Sequence, residues 1–393
     1  MAPIVCFWLF ASCVLYAYLI YPLLMFVAAK LRPWPTHRMG LRPQSFSIVL
    51  AAHNEEANIA RRVRELTELI AACGLPGELI VVSDGSTDRT PTIARRAGGD
   101  RVRVIEMPSN VGKAAALNKG CAAARHQIII FADARQHFAP DALTRLLDNF
   151  IDPTVGAVSG DLILKSSSQA LAGVGLYWRY EKWLRKHESR FHSIVGVTGA
   201  ISALRRSLYR PIPRGTVLDD VYWPLQVAMQ GFRIVHEDRA HAFDHLPHRP
   251  RDEFRRKVRT LSNNFQLLTR LPAALVPWHN PVWFEFVSHK LCRLLVPWAL
   301  LGTLLCSATI HRPLYQAAFA LQCLLFLIAL AGLDSRVASR ARLASAAASF
   351  LMLNAAAWFG FWIWLFGKSA DSWRKVSYQL PTLRYSQTDL RSI

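Results

Sequence analysis

The stretch Ile128–Arg135 reads I-I-I-F-A-D-A-R. It is a short apolar run rich in β-branched residues, and it ends abruptly in the acid Asp133. Buried parallel strands have this composition, and their carboxyl ends are where an open α/β sheet presents groups to a ligand. Asp133 is therefore expected at the mouth of a cleft. A lone acid after a strand also serves to cap a turn or helix, so its meaning depends on what surrounds it.

Working outward, strands alternate with helices. Ser47–Ala52 and Glu78–Ser83 read as apolar strands, with a helix over Glu55–Ala72 between them, marked by Ile59, Val63, Leu66 and Ile70. The turn D-G-S-T-D, Asp84–Asp88, precedes a third strand at Arg101–Glu106, and Gly112–Arg125 reads as a helix leading into the opening stretch. A helix at Pro140–Phe150 and a strand at Val155–Ser159 follow. Such alternation predicts an α/β fold, a mostly parallel sheet with helices on both faces. The pattern loosens after residue 160. Tyr177–Arg190 reads as an amphipathic helix, solvated and near a membrane. Gly196–Arg206 holds two glycines before a short apolar stretch. Leu218–Val235 opens on the paired acids Asp219 and Asp220, with a helix ending near Gly231.

Composition adds a second component. Of 393 residues 52% are hydrophobic and only 19% charged, and the apolar excess is concentrated at the two ends. Residues 4–29 form one apolar run of the length a bilayer crossing needs, and 291–310, 314–333 and 343–366 form three more. The first run is too long for a signal peptide and lacks a basic leader. The basic Lys30–Arg42 segment belongs on the cytoplasmic side, which puts the N-terminus outside. At the other end two readings stay open: span counting puts the C-terminus outside, while Lys368, Arg374 and Lys375 argue for inside. Residues 253–270 carry five basic residues on a helical apolar pattern, the composition of an interfacial helix, and Val276–Phe286 is expected at the membrane surface. Lys and Arg (47) exceed Asp and Glu (27), a formal charge of +20 that fits an anionic partner. No nucleic-acid motif accompanies it, so lipid or a phosphate-bearing substrate is the expected partner. The seven cysteines form no metal-spaced pair and read as reduced and structural.

The expected organisation is a membrane helix over 1–30, a basic linker over 31–44 and a nucleotide-binding half-domain over 45–160. An acceptor and catalytic-base half follows over 161–252, then interfacial helices over 253–290, membrane helices over 291–366 and a tail over 367–393.

Six segments, taken in order, resemble the membrane-integrated family 2 glycosyltransferases, which include the chitin, hyaluronan, cellulose and poly-N-acetylglucosamine synthases. They are A-H-N-E-E (52–56), V-S-D-G-S-T-D (82–88), G-K-A-A-A-L-N-K-G (112–120), F-A-D-A-R (131–135), D-D (219–220) and R-K-V-R-T (256–260). The resemblance implies a GT-A-type fold with one N-terminal and about three C-terminal transmembrane helices. It implies an inverting transfer from a nucleotide sugar, with UDP as the expected nucleotide. By position it implies donor contacts at Ala52, Asn54, Glu55, Asp84, Lys113, Asp133, Arg135, Arg256 and Arg259. Asp133 would be the ligand of a Mg2+ or Mn2+ ion, and Asp220, with Asp219 beside it, would be the catalytic base. The chemistry agrees. A departing diphosphate needs positive charge around it, and an attacking hydroxyl needs a carboxylate to take its proton.

This chain departs from the pattern twice. The second acid of the family's D-x-D is here Arg135, which either turns aside or touches phosphate. Thr260 replaces the Trp, and Arg256 the Gln, of the family's Q-x-x-R-W. That Trp forms a floor for the acceptor sugar in processive synthases, so its role lapses here or passes to Trp223 or Tyr222. The implied function is extension of an exopolysaccharide at the membrane, coupled to its translocation. The alternatives are transfer of a single sugar to a lipid acceptor, and a non-catalytic membrane scaffold or export component. The implied setting is a bacterial inner membrane with a cytoplasmic catalytic domain. The expected partners are the nucleotide-sugar donor, a polysaccharide or lipid-linked acceptor and the bilayer, with no nucleic acid.

Overall fold

The computed structural model describes residues 1–37, 39–165, 172–245 and 250–367. At its centre is an eight-stranded sheet of order β3-β2-β1-β4-β7-β6-β8-β5. The strands are β1 Phe46–Ala52, β2 Gly77–Asp84, β3 Val102–Met107, β4 Ile128–Ala132, β5 His137–Phe138, β6 Val155–Lys165, β7 Ile201–Arg205 and β8 Arg233–His245. The first four run parallel. β7 runs antiparallel to both β4 and β6, while β6 and β8 are parallel. The sheet is mixed and mostly parallel, with helices on its faces.

The chain winds outward from β1 to β3, then returns to place β4 on the other side of β1. Strand order reverses there, and such a point opens a crevice beyond the strand ends. Residue alternation explains why the central strands are apolar throughout. On β1, Phe46, Ile48 and Leu50 pack with Ile59, Val63 and Leu66 of the helix Glu56–Cys73. Val49, from the same strand, faces the opposite core with Leu117, Phe131 and Trp223. The side chains of both layers are buried, and each large apolar one so buried contributes about 1.5–3 kcal/mol.

Three expectations change. β6 runs to Lys165, well past Ser159, because it pairs along its length with β8. The helix that opens on Asp219 ends at Ala228, and Gly231, at φ +85°, turns the chain into β8. The helix Ala172–Phe191 is not solvated all round, since Glu181, Leu184 and Glu188 on it are buried.

Among the described residues four helices are long and apolar enough to cross a membrane: Ala2–Leu31, Trp283–Thr309, Pro313–Ala331 and Arg342–Leu365. The second begins at Trp283 and thus absorbs part of the expected surface segment Val276–Phe286. Its first turns hold Glu285, Ser288 and His289, which are buried against protein, and their polarity hides them from a hydropathy reading. The helix Pro250–Arg270 lies between the catalytic domain and the last span. Leu267 joins the domain core, whereas Phe265 stacks on Trp364 with ring centroids 5.7 Å apart. The backbones meet closely at Gly360, where a Cβ would lie 2.8 Å from the Ser262 amide nitrogen. The basic residues expected to orient the tail, from Lys368 onward, lie outside the described residues.

Candidate active site

The crevice is framed by loops that follow β1, β2 and β4. After β1, Asn54 adopts φ 52°, and its Oδ1 accepts a hydrogen bond from the Thr87 amide at 2.8 Å. The Glu55 amide donates to Thr90 Oγ1 at 2.8 Å, while the Glu55 carboxylate accepts from Asn58 Nδ2 at 2.7 Å. These bonds tie the A-H-N-E-E and D-G-S-T-D segments into one wall. Asp84, at the end of β2, is buried, and its two oxygens accept from the amides of Val111 and Gly112, each at 2.8 Å. The carboxylate thereby fixes the loop that delivers Lys113 as the first residue of the helix Lys113–Ala123. The close approach needs Gly85, where a Cβ would lie 2.1 Å from the Asn110 nitrogen.

Lys113 is the hub. Its Nζ donates to Asp133 Oδ1 at 2.8 Å and lies 3.8 Å from Asp219 Oδ2. Burial alone would lower the Lys113 pKa, but Asp133, then Asp219, outweigh it and hold the ammonium firmly protonated. Asp219 and Asp220 open the helix Asp219–Ala228. Burial pushes Asp219 up to about 6, with Lys113 opposing and Asp220 and Asp133 adding to the rise. Asp220 is raised too, chiefly by burial and against Lys113, Lys290 and Arg185. Crowded carboxylates of this kind share their titration, and the upward shift of both moves them toward the range a general base requires. Gly199 borders the pair: a Cβ there would make ordinary contact with the Asp220 Cβ at 3.5 Å and with Lys113 Nζ at 3.7 Å. Beside it, the Val197 amide donates to the Asp220 carbonyl at 2.8 Å.

Arg135 turns away from this cluster. Its Nε and Nη2 grip Asp244 on β8 at 3.1 and 2.6 Å, the two-pronged geometry guanidinium and carboxylate favour. Asp244 carried no signal in the sequence because β8 was not foreseen. Arg61 and Arg62 were also missed, although the adjacent pair on a helix was visible. Arg62 Nε donates to the Asp133 carbonyl at 3.0 Å and Arg61 Nη2 to the Arg135 carbonyl at 2.8 Å, so the pair holds the backbone on which Asp133 stands. A divalent ion fits here with Asp133 as its single carboxylate ligand. No set of three or more His, Cys, Asp or Glu side chains forms a metal site among the described residues, so phosphate and water oxygens would supply the rest.

Ala52, Asn54, Glu55, Asp84, Lys113, Asp133, Arg135, Asp219, Asp220, Arg256 and Arg259 all line one cavity of about 2210 Å³. Within it Arg256 is bound to Glu253 through Nε and Nη2, both at 2.9 Å. Trp223 and Tyr222 are not available as replacements for the missing Trp. Both are buried in the core, Trp223 with its ring 5.4 Å from that of Phe131.

Comparison with known proteins agrees with this fold. The family model "Glycosyl transferase family 2" matches residues 47–212. The poly-beta-1,6-N-acetyl-D-glucosamine synthase of Staphylococcus aureus (strain COL) is 22% identical over 234 residues, 58% of this chain and 56% of that protein. The chain thus spans about half the length of such relatives. The dolichyl-phosphate beta-glucosyltransferase of Drosophila melanogaster is 36% identical over 97 residues, 22% of this chain and 30% of that protein. Among solved structures, the mannosyltransferase PcManGT from Pyrobaculum calidifontis, in complex with GDP-Man and Mn2+, matches with a TM-score of 0.68 at 20% identity. That match covers 93% of this chain and 99% of that one, and at such identity it is a likeness of fold.

Proposed function

We propose that this chain, a membrane-integrated glycosyltransferase of family 2, moves a sugar from a nucleotide sugar to an acceptor that enters its site from the bilayer. The supporting observation is the continuity of the cavity. Asp84, Lys113 and Asp133 line it, Asp220 lines it beside Lys113, and Leu353, Asn354, Phe359 and Ile363 of the last span line it too. A donor and a membrane-borne acceptor can therefore meet at Asp220.

In this reading Asp84 accepts hydrogen bonds from the nucleotide base, with UDP the expected donor. Lys113 faces the diphosphate and offsets the charge that grows on it as the glycosidic bond breaks. Asp133 would hold a Mg2+ or Mn2+ ion shared with the diphosphate, which when bound adds positive charge beside the leaving group. Asp220 takes the proton of the acceptor hydroxyl as that oxygen attacks the anomeric carbon from the face opposite the nucleotide. The displacement inverts the anomeric centre and needs no protein nucleophile. Asp219 keeps the pair poised near neutrality and Arg135 acts on the site only through its clamp on Asp244.

Between polymer extension and single transfer to a lipid, the site favours the lipid. Thr260 presents no aromatic face, its hydroxyl bonded back to the Arg256 carbonyl at 3.0 Å, and the two candidate substitutes are buried in the core. The test uses purified full-length protein in nanodiscs with radiolabelled UDP- and GDP-sugars. One organic-soluble product is expected, and Asp220→Asn should remove transfer while retaining nucleotide binding. A ladder of polymer products would refute single transfer, and undiminished turnover by the variant would remove Asp220 as base.

A further inference from the structure

Beyond Asp220 the cavity becomes cationic before it becomes apolar. Arg185, Lys257, Lys290 and Arg293 line this part. Few anions answer them. Glu181 is shared by Arg293 at 2.8 Å, by His289 at 2.8 Å and by Arg185 at 3.6 Å. Glu253, fully buried, is committed to Arg256 and reaches Lys257 only at 3.8 Å. Lys290 has neither a hydrogen bond nor an ion pair among the described residues. Glu181 and Asp220 act on Lys290 only at longer range, and neither is hydrogen-bonded or ion-paired to it among the described residues.

An amine held in a protein cavity beside a bilayer without a counter-ion is costly, and such groups are paired in folded proteins. Arg185 links the compartment to the reaction centre. Its Nη1 donates to Thr198 Oγ1 at 3.4 Å, and Thr198 sits between the two residues, Val197 and Gly199, that cross over Asp220. On the far side the wall is supplied by Leu294 and Phe359 of two spanning helices. Reacting hydroxyl, anion and hydrocarbon would therefore follow one another along a single path.

We infer that the acceptor is a phosphate-bearing lipid whose sugar hydroxyl meets Asp220 and whose phosphate or diphosphate is seated by Lys290 and Lys257, with Arg185 alongside. This rests on the membrane-borne acceptor proposed above and adds its chemical class. A neutral glycolipid would leave Lys290 without an anion, whereas a phosphate oxygen accepts strongly from ammonium donors. The nucleotide's own diphosphate is accounted for at Lys113, which pairs with Asp133 and Asp219.

The test compares three acceptors carrying the same sugar, given to full-length protein in neutral-lipid nanodiscs with labelled nucleotide sugar. These are a prenyl-diphosphate-linked sugar, a neutral alkyl glycoside of similar chain length, and the soluble sugar 1-phosphate. Wild-type protein should show the lowest KM for the prenyl-diphosphate acceptor. Lys290→Gln and Lys257→Gln should raise that KM about ten- to hundredfold, the effect of losing a charge-assisted hydrogen bond, without moving the donor KM. Lys290→Arg should restore most of it, which separates charge from folding. Equal KM values for the neutral and diphosphate lipids overturn the inference alone, as does a rise of equal size for both in Lys290→Gln. The soluble phosphate matching the lipid overturns the lipid tail's part in it. Transfer to none of the three, with donor still bound, overturns the membrane-borne acceptor and this inference together.

Discussion

Replacing Lys113 by Met removes the cation in contact with Asp133 and Asp219, and the pH dependence of catalysis should report it. At an effective dielectric near 20, opposite charges about 4 Å apart attract by roughly 4 kcal/mol. Lys113 is 32% exposed, so solvent screening reduces its hold on Asp219, 3.8 Å away, to about 1–2 kcal/mol. That corresponds to about one pKa unit. The sign follows from the charges. Burial lifts Asp219 to about 6 while Lys113 pulls it down, so removing the ammonium lifts the pair further. A base has to be unprotonated to work, so the acid limb of kcat/KM should move upward by about one unit in Lys113→Met. Near pH 6 the variant should lose a further factor of about five beyond its loss at alkaline pH, rising to about ten at lower pH. Lys113→Arg keeps a cation and should leave the limb near its wild-type position. The assay is nucleotide release at saturating acceptor across the pH range, with donor affinity measured by calorimetry on the same preparations. An acid limb that stays in place in Lys113→Met would show that Lys113 does not poise the carboxylate pair, whatever happens to the rate.

Asp244→Asn leaves the Arg135 fork without its carboxylate in a mostly buried setting and should destabilise the protein by about 2–3 kcal/mol, below the full figure for a wholly buried pair. A melting temperature unchanged from wild type would show that the clamp contributes nothing. Arg135→Asp, which places a second acid two residues after Asp133, should tighten Mn2+ binding in the presence of nucleotide. Unaltered affinity would argue that position 135 faces away from the site whatever residue it holds. Gly120→Ala sets a Cβ 2.4 Å from Val49 Cγ1 and 3.2 Å from Val82 Cγ2 in the rigid sheet core. It should cost about 1–3 kcal/mol by thermal unfolding, and a neutral result would mean that the helix Lys113–Ala123 shifts freely.

How far the fold could be read before the structure depended on how local its determinants are. β1, β2 and β4 are uninterrupted apolar runs closed by polar turns, so their existence and the placing of Asp84 and Asp133 at their ends followed from periodicity alone. The far half of the sheet did not. β8 includes His236, Glu237, Asp238 and Arg239, a polar stretch carried within a strand whose pairing with β6 runs up to His236 and resumes at His241. The same non-locality hid the buried polar layer against the membrane helices. Glu181 and Glu188 look like solvent-facing acids on an amphipathic helix until His289, about a hundred positions later, is brought to 2.8 and 2.7 Å from them. Apolar pattern predicts burial only for groups that need no partner; a buried charge is legible only together with the residue that neutralises it.

Arg135 shows the consequence for the site. Judged beside Asp133, two positions away, an arginine in place of an acid counts against a metal and even against catalysis. Its actual partner is 109 positions distant, and with Asp244 in place the guanidinium is occupied on both prongs and held off the reaction centre. What the substitution removes is a second carboxylate oxygen, and what remains at the end of β4 is Asp133 held against Lys113. On the proposed reading, positive charge at the diphosphate would be supplied by the chain itself to a larger degree than in a site with two acids, and the ion that Asp133 would share would add to a charge already present. Dependence on divalent metal should accordingly be graded. Chelation of wild-type protein should lower turnover yet leave a measurable residue, and the same chelation of Lys113→Met should abolish it. Equal residual activity in the two chelated proteins would refute this division of charge between lysine and metal.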